Sequence, residues 1–195
     1  MDTDSLFDSC SGLVAELTKT YKGWEGVSQF KNTPNRLVRM YSDFCWSPSR
    51  IKDELDKHFK VYPNSYDEML VTGPMEVWVL CPHHLLPVKL ECWIGYVPDG
   101  GVLGLSKFAR ISRIMGKRPI MQEQYSTELT DELDRRLSPK GLGVVVVGTH
   151  GCMVSRGVEQ DSKVVTSCLR GCILDKPQTR EEFYSVVESL RKERR

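Results

Sequence analysis

DEMLVTGPMEVWVLCPHHLLPVKLECWIGY, residues 67–96, decides how the rest of the chain is read. Up to Cys81 the odd positions carry Met69, Val71, Met75, Val77 and Val79. Beyond Pro87 the even positions carry Val88, Leu90, Cys92, Ile94 and Tyr96. A period of two sends successive side chains to opposite faces, so each run predicts a half-buried strand. The Pro-bounded segment Cys81–Pro87 is short enough for a turn, and the two runs predict an antiparallel hairpin that Pro98-Asp99-Gly100-Gly101 ends.

Outward from this hairpin the period becomes helical. On the C-terminal side, one helix is predicted from Leu105 to about Met115. A second opens at Pro119, carries Met121, Tyr125, Leu129, Leu133 and Leu137, and stops before Pro139. The β-branched run Leu142–Val147 reads as a buried strand, more extended chain is expected over 152–173, and a last helix runs from Thr179 to about Lys192. On the N-terminal side, residues 5–22 predict a helix with Leu6, Leu13, Leu17 and Tyr21 on one side. Thr33-Pro34 is a helix start leading through Leu37, Met40, Tyr41 and Phe44, and a further amphipathic segment runs from Ser47-Pro48 to about Phe59. The order predicts an α+β domain, residues 61–195, preceded by a helical region, residues 1–60.

Composition agrees with an ordinary globular protein: 195 residues, 40% hydrophobic and 27% charged. A net charge of +1 gives no general electrostatic case for nucleic acid or an acidic membrane. Met1-Asp2-Thr3-Asp4-Ser5 has neither the basic start nor the apolar run of a secretory signal. No stretch approaches the roughly 18–20 apolar residues of a membrane span. Seven cysteines at irregular spacing read as reduced thiols, some metal-bound, rather than as a disulfide framework. The expectation is a soluble, cytoplasmic protein.

The turn of the hairpin carries the chemistry. Cys81-Pro82-His83-His84 places three side chains suited to zinc within one loop, and a C-x-x-H pair lets two ligands reach one metal. Alone, such a pair is a weak signal that arises often by chance, and it reads first as a buried Cys beside two surface histidines. His150-Gly151-Cys152, close after the buried Leu142–Val147 run, adds a thiol and an imidazole at a second strand end. Cys81, His84 and Cys152 would leave one tetrahedral position open, the catalytic arrangement, and would free His83 and His150 for proton transfer.

Gly104-Leu105-Ser106-Lys107-Phe108-Ala109-Arg110 opens a helix, where N–H groups and the helix dipole favour an anion; Lys107 and Arg110 share one face. Arg36 and Arg39 repeat that spacing, and Arg156 lies four residues after Cys152. Any one basic pair reads first as solvated surface, and only together do they suit a triphosphate. Gln122-Glu123 begins the helix after Pro119. A carboxylate there either complements the helix dipole or accepts from the N–H edge of guanine.

These segments, in this order and spacing, resemble GTP cyclohydrolase I over about residues 33–185. The matching motifs are Thr33-Pro34-x-Arg36, Asp67-Glu68-Met69, Cys81-x-His83-His84, Gly104–Arg110, Arg118-Pro119 with Gln122-Glu123, His150-x-Cys152-Met153-Val154-x-Arg156-Gly157, and Arg180-x-Glu182-Phe183. Pro82 departs from the family, which usually has Glu there. The resemblance implies the tunnelling fold, an antiparallel sheet with helices on one face. It also implies hydrolysis of GTP to 7,8-dihydroneopterin triphosphate and formate, the first step towards pterins, folate or 7-deazaguanines. It assigns zinc to Cys81, His84 and Cys152, acid–base chemistry to His83 and His150, and the guanine to Gln122 and Glu123. Ser106, grouped with the catalytic residues, reaches the phosphates with Arg36, Arg39, Lys107, Arg110 and Arg156. The implied assembly is a toroidal homodecamer with sites at subunit interfaces. Two alternatives compete: a tunnelling-fold relative acting on another purine or pterin, and a non-catalytic nucleotide-binding homologue. The zinc-ligand set argues against the first, and the presence of both His83 and His150 against the second.

Overall fold

The computed structural model describes residues 2–20 and 28–193. The chain divides after Pro48 into two compact units. The first holds α1 (Thr3–Lys19) and α2 (Thr33–Phe44), with a 3-10 turn at Ser28–Phe30. Asp2 caps α1 by accepting from the N–H groups of Asp4 and Ser5, at 3.0 and 3.3 Å. The buried residue of α1 is Cys10, whereas Leu13 and Leu17 are exposed. Tyr21, expected on the same side, lies outside the described residues. Pro34 stands in the first turn of α2, as its start signal predicts.

The second unit begins at Ser49, in the first turn of α3 (Pro48–Asp56), which buries Ile51 and Leu55 and is tied to the body of that unit by Asp56 and Arg136, 2.6 Å apart. Arg136 also lies over the Phe59 ring. Next come β1 (Val61–Pro63), β2 (Leu70–Leu80), β3 (Pro87–Val97), β4 (Gly101–Leu103), α4 (Leu105–Met115), α5 (Gln122–Leu137), β5 (Gly141–His150), α6 (Gly151–Val154), β6 (Lys163–Arg170), α7 (Gly171–Asp175) and α8 (Pro177–Lys192). β2 and β3 are the expected hairpin. They join β5 and β6 in an antiparallel sheet of order β2-β3-β5-β6, while the short β1 and β4 pair separately.

The period-two pattern sets the core. Met75, Val77, Val79, Leu90, Cys92, Ile94, Tyr96, Leu142, Val144 and Val146 are all buried. They share one face, because the register opposes Met75 to Cys92 and Cys92 to Val146. α4 and α5 cover that face with Phe108, Ile111, Tyr125, Leu129 and Leu133, all fully buried. Tyr125 donates its hydroxyl to the Ser112 carbonyl at 3.0 Å, which fastens α5 to α4.

On the opposite face Trp93, Val145 and Val147 form a second cluster with Ile173, Phe183 and Val187. Gly95 and Gly143 pair across β3 and β5, and Phe183 lies in the slot that they leave. A Cβ on either glycine would come within 2.6 or 2.7 Å of its ring. Emptying the slot by Phe183→Ala is worth about 3–5 kcal/mol.

Several details differ from expectation. The extended chain expected over 152–173 is a strand only at Lys163–Arg170, since residues 151–154 and 171–175 turn into short helices. α5 starts at Gln122 rather than Pro119: Ile120 instead donates to the Leu80 carbonyl at 3.0 Å, pulling the chain alongside β2. Among the described residues no helix is long and apolar enough to cross a membrane.

Candidate active site

Strand register assembles the site. Val88, near the start of β3, pairs with His150, the last residue of β5, so the Cys81–Pro87 turn and the His150–Cys152 segment meet at one end of the sheet. The turn is closed by the Cys81 N–H donating to the Leu86 carbonyl (2.9 Å) and the Leu85 N–H to the Cys81 carbonyl (2.8 Å). Leu85 adopts φ +52°, a left-handed conformation uncommon for a residue with a Cβ. The link from Ile120 to Leu80 brings the start of α5 to the same place. Cys81, His83, His84, Val88, Met121, Gln122, Glu123, His150 and Cys152 thereby line a cavity of ≈ 210 Å³.

The Cys81 Sγ, the His84 imidazole and the Cys152 Sγ lie within 4.8 Å of one another, and Cys81 Sγ is 3.5 Å from His84 Nδ1. A tetrahedral zinc with ordinary Zn–S and Zn–N bonds separates its ligand atoms by roughly 3.5–3.8 Å, so the three donors fit that ion with little adjustment. Burial raises the pKa of the Cys152 thiol and the neighbouring Cys81 raises it further, while Arg156 pulls it back. Two thiols this close resist becoming two thiolates, and a divalent cation removes the conflict. His83 stands beside the trio, its Nδ1 3.8 Å from Cys81 Sγ.

His150 is half-buried, and burial lowers its pKa while Glu123 partly restores it. Its Nε2 is 2.9 Å from Oε1 of Gln122. Gln122 is almost wholly buried, and its Nε2 faces the carbonyls of Val146 and Val164 and the hydroxyl of Thr166, at 3.1, 3.0 and 3.2 Å. Thr166 and Ser126, which complete this polar cluster, and Gly148, which makes room for it, carry no motif by which sequence reasoning finds them. The one available signal was parity, since Thr166 opposes Val146 and so faces α5.

The other expected site residues are distributed differently. Ser106, Lys107 and Arg110 occupy the first turns of α4 and do not line the cavity. The N–H of Leu103, just before α4, donates to the Tyr96 hydroxyl at 3.3 Å, so the helix begins at the far end of β3 and runs back along β2. Arg156 is exposed in the loop after α6, near enough to Cys152 to act on its thiol. Arg36 and Arg39 are exposed on α2, in the first unit. At ≈ 210 Å³ the cavity is also smaller than the roughly 300–1,000 Å³ of pockets that enclose a drug-sized ligand.

The GTP cyclohydrolase I family model matches residues 15–188. The GTP cyclohydrolase 1 of Aquifex aeolicus is 39% identical over 161 residues, covering 82% of this chain and 85% of the relative. That of Campylobacter concisus is 40% identical over 164 residues, with 82% and 84% covered. That of Campylobacter jejuni is 33% identical over 191 residues, with 96% and 97% covered.

Proposed function

The chain belongs to the GTP cyclohydrolase I family, and from that membership we infer that the cavity at the Cys81–Pro87 turn is where the guanine of GTP is opened. The activity is that of GTP cyclohydrolase I: the purine ring is hydrolysed at C8, formate leaves, and the remaining atoms close as 7,8-dihydroneopterin triphosphate, a precursor of pterins. The observation carrying this location is the meeting of three ligand atoms within 4.8 Å on a cavity that His83, His150 and Glu123 also line.

Cys81, His84 and Cys152 hold zinc in this reading, and zinc bound there supplies water activated near neutral pH by Lewis-acid polarisation. His83 carries a proton to the guanine nitrogen beside C8, a role for which an imidazole is suited near pH 7. His150 exchanges a proton with the ribose ring oxygen as the sugar rearranges. Glu123 accepts hydrogen bonds from the N–H edge of the base, which orients C8 towards the metal end.

The triphosphate lies beyond the cavity, and we assign it to Ser106, Lys107 and Arg110 of a second copy of the chain, with Arg156 from the metal end and Arg36 and Arg39 as further cations. The small cavity volume and the position of α4 at the far end of β3 support this arrangement. A toroidal decamer is the assembly it implies. Incubating zinc-loaded protein with GTP, while reading pterin absorbance and formate, tests the activity. Light scattering on the same sample tests the assembly, and an active monomer would refute the shared site.

A further inference from the structure

Gln122 is 2% exposed at the first residue of α5, where a buried amide must satisfy each of its polar atoms inside the protein. Its two N–H bonds are divided among Val146 O, Val164 O and Thr166 Oγ1, at 3.1, 3.0 and 3.2 Å. Two of these acceptors are main-chain carbonyls, which cannot donate. Turning the amide over would set Oε1 against both of them, so its orientation is dictated by its surroundings. Oε1 therefore faces His150 Nε2, at 2.9 Å. An amide oxygen only accepts, so that nitrogen carries a hydrogen.

A second layer closes on the same residue. Ser126 Oγ donates to the Gln122 carbonyl at 2.9 Å and lies 2.6 Å from Thr166 Oγ1. With the Ser126 proton so committed, Thr166 donates to Ser126 and accepts from the Gln122 amide. The result is a ring of hydrogen bonds that begins and ends on one residue. Gly148 provides the space: a Cβ there would lie 2.0 Å from Gln122 Oε1 and 3.1 Å from His150 Nε2.

We propose that Gln122, locked by Thr166 and Ser126, is a positioning residue that holds the His150 ring with a hydrogen on Nε2 and so leaves Nδ1 as the nitrogen that exchanges a proton with substrate. This rests on His150 being a proton carrier in the opening of GTP. It moves Gln122 from the guanine-gripping role to one that acts through His150, because every polar atom of its side chain is engaged within the protein.

The test is made on zinc-loaded protein carrying ¹⁵N-labelled histidine, with the His150 signals assigned by their absence in His150→Gln. Long-range ¹H–¹⁵N correlations should show a protonated Nε2 and an unprotonated Nδ1 at His150. The opposite tautomer, or an even mixture, overturns the proposal. In Gln122→Met the tautomer should become mixed and kcat should fall roughly 10- to 100-fold, as for removal of the partner that orients a functional histidine. Zinc content should hold, and KM for GTP should stay within about twofold. A raised KM with unchanged kcat would mean that Gln122 touches the base, and overturns the assignment. Thr166→Val, isosteric and milder, should move kcat in the same direction by less. Protein that shows the Nε2–H tautomer yet leaves GTP intact would sink the functional reading and spare the tautomer, so the two failures are distinguishable.

Discussion

The two ends of strand β3 are built on different terms. At the Pro87 end, register, a left-handed turn residue and a buried polar ring fix Cys81, His84, His150 and Cys152 around one small cavity. At the Val97 end, Ser106, Lys107 and Arg110 stand on the first turns of α4, with Ser106 and Arg110 exposed and His58 close enough to feel both cations. The 11 residues of β3, at roughly 3.3 Å each, separate the ends by about 33 Å. Bond-making groups lose orders of magnitude in rate when displaced by an ångström, so they are held by the chain's own sheet. A triphosphate is attracted by charge, which falls off slowly with distance and tolerates long flexible side chains. Such a contribution can come from a neighbouring copy without loss of precision at the reacting carbon.

The comparison breaks most sharply at the metal end. Cys152→Ala should lose its zinc by elemental analysis and its turnover entirely, with the fold retained by circular dichroism. Full metal retention would remove Cys152 from the ligand set. Glu123→Gln replaces one acceptor oxygen by a donor at the proposed base contact, and should weaken GTP binding by about 1–3 kcal/mol, 10- to 100-fold, while inorganic triphosphate binds as before. Unchanged GTP affinity would reduce Glu123 to a helix-start residue worth a few tenths of a kcal/mol.

Mixing the two ends from different chains is the next sharper test. Cys152→Ala and Lys107→Ala should each be nearly inactive alone. Co-refolded in equal amounts, they should recover roughly a quarter of the unaltered activity, because random neighbours then pair an intact cavity with an intact α4 that often. No recovery would place both halves in one chain.

The smallest effect concerns His58. Burial, then Lys107 and Arg110, hold its pKa below the ordinary imidazole value of about 6.5, with Lys57 adding to the depression and Glu54 opposing it. The sign follows: the unfolded chain takes up this proton first, so the neutral form's stability is complete above about pH 6.5 and is lost as pH falls below it. In Lys107→Ala the His58 titration, followed by NMR, should move upward and the loss of stability on acidification should shrink. Inorganic triphosphate should move the titration the same way. An unmoved titration in Lys107→Ala would show that the cations of α4 do not act as one field.

Period two in residues 67–96 made the hairpin legible, and β-branching made β5 legible, because burial on a known face leaves a repeating mark in sequence. Cys81, His83, His84, His150 and Cys152 were legible as a site because their side chains are chemically rare. Thr166, Ser126 and Gly148 were not. Their importance lies in a buried hydrogen-bond ring and a missing Cβ, and neither leaves a periodic or compositional trace. The short α6 and α7 were hidden for a related reason: each is a single turn, too brief to show a period of 3.6. Lys107 and Arg110 were legible as cations but not as distant ones, since spacing along a chain says nothing of which end of a strand it reaches.

The Gly95–Gly143 slot bears on how the protein is made. Phe183 belongs to α8, which leaves the ribosome after every strand of the sheet. Until it arrives, Trp93, Val145 and Val147 form an uncovered apolar strip on a sheet whose other face is already dressed by α4 and α5. A nascent chain paused between β6 and α8 is therefore the species most exposed to chaperones and to self-association. The docking of α8, which brings Phe183 and Val187 onto the strip, ends that exposure.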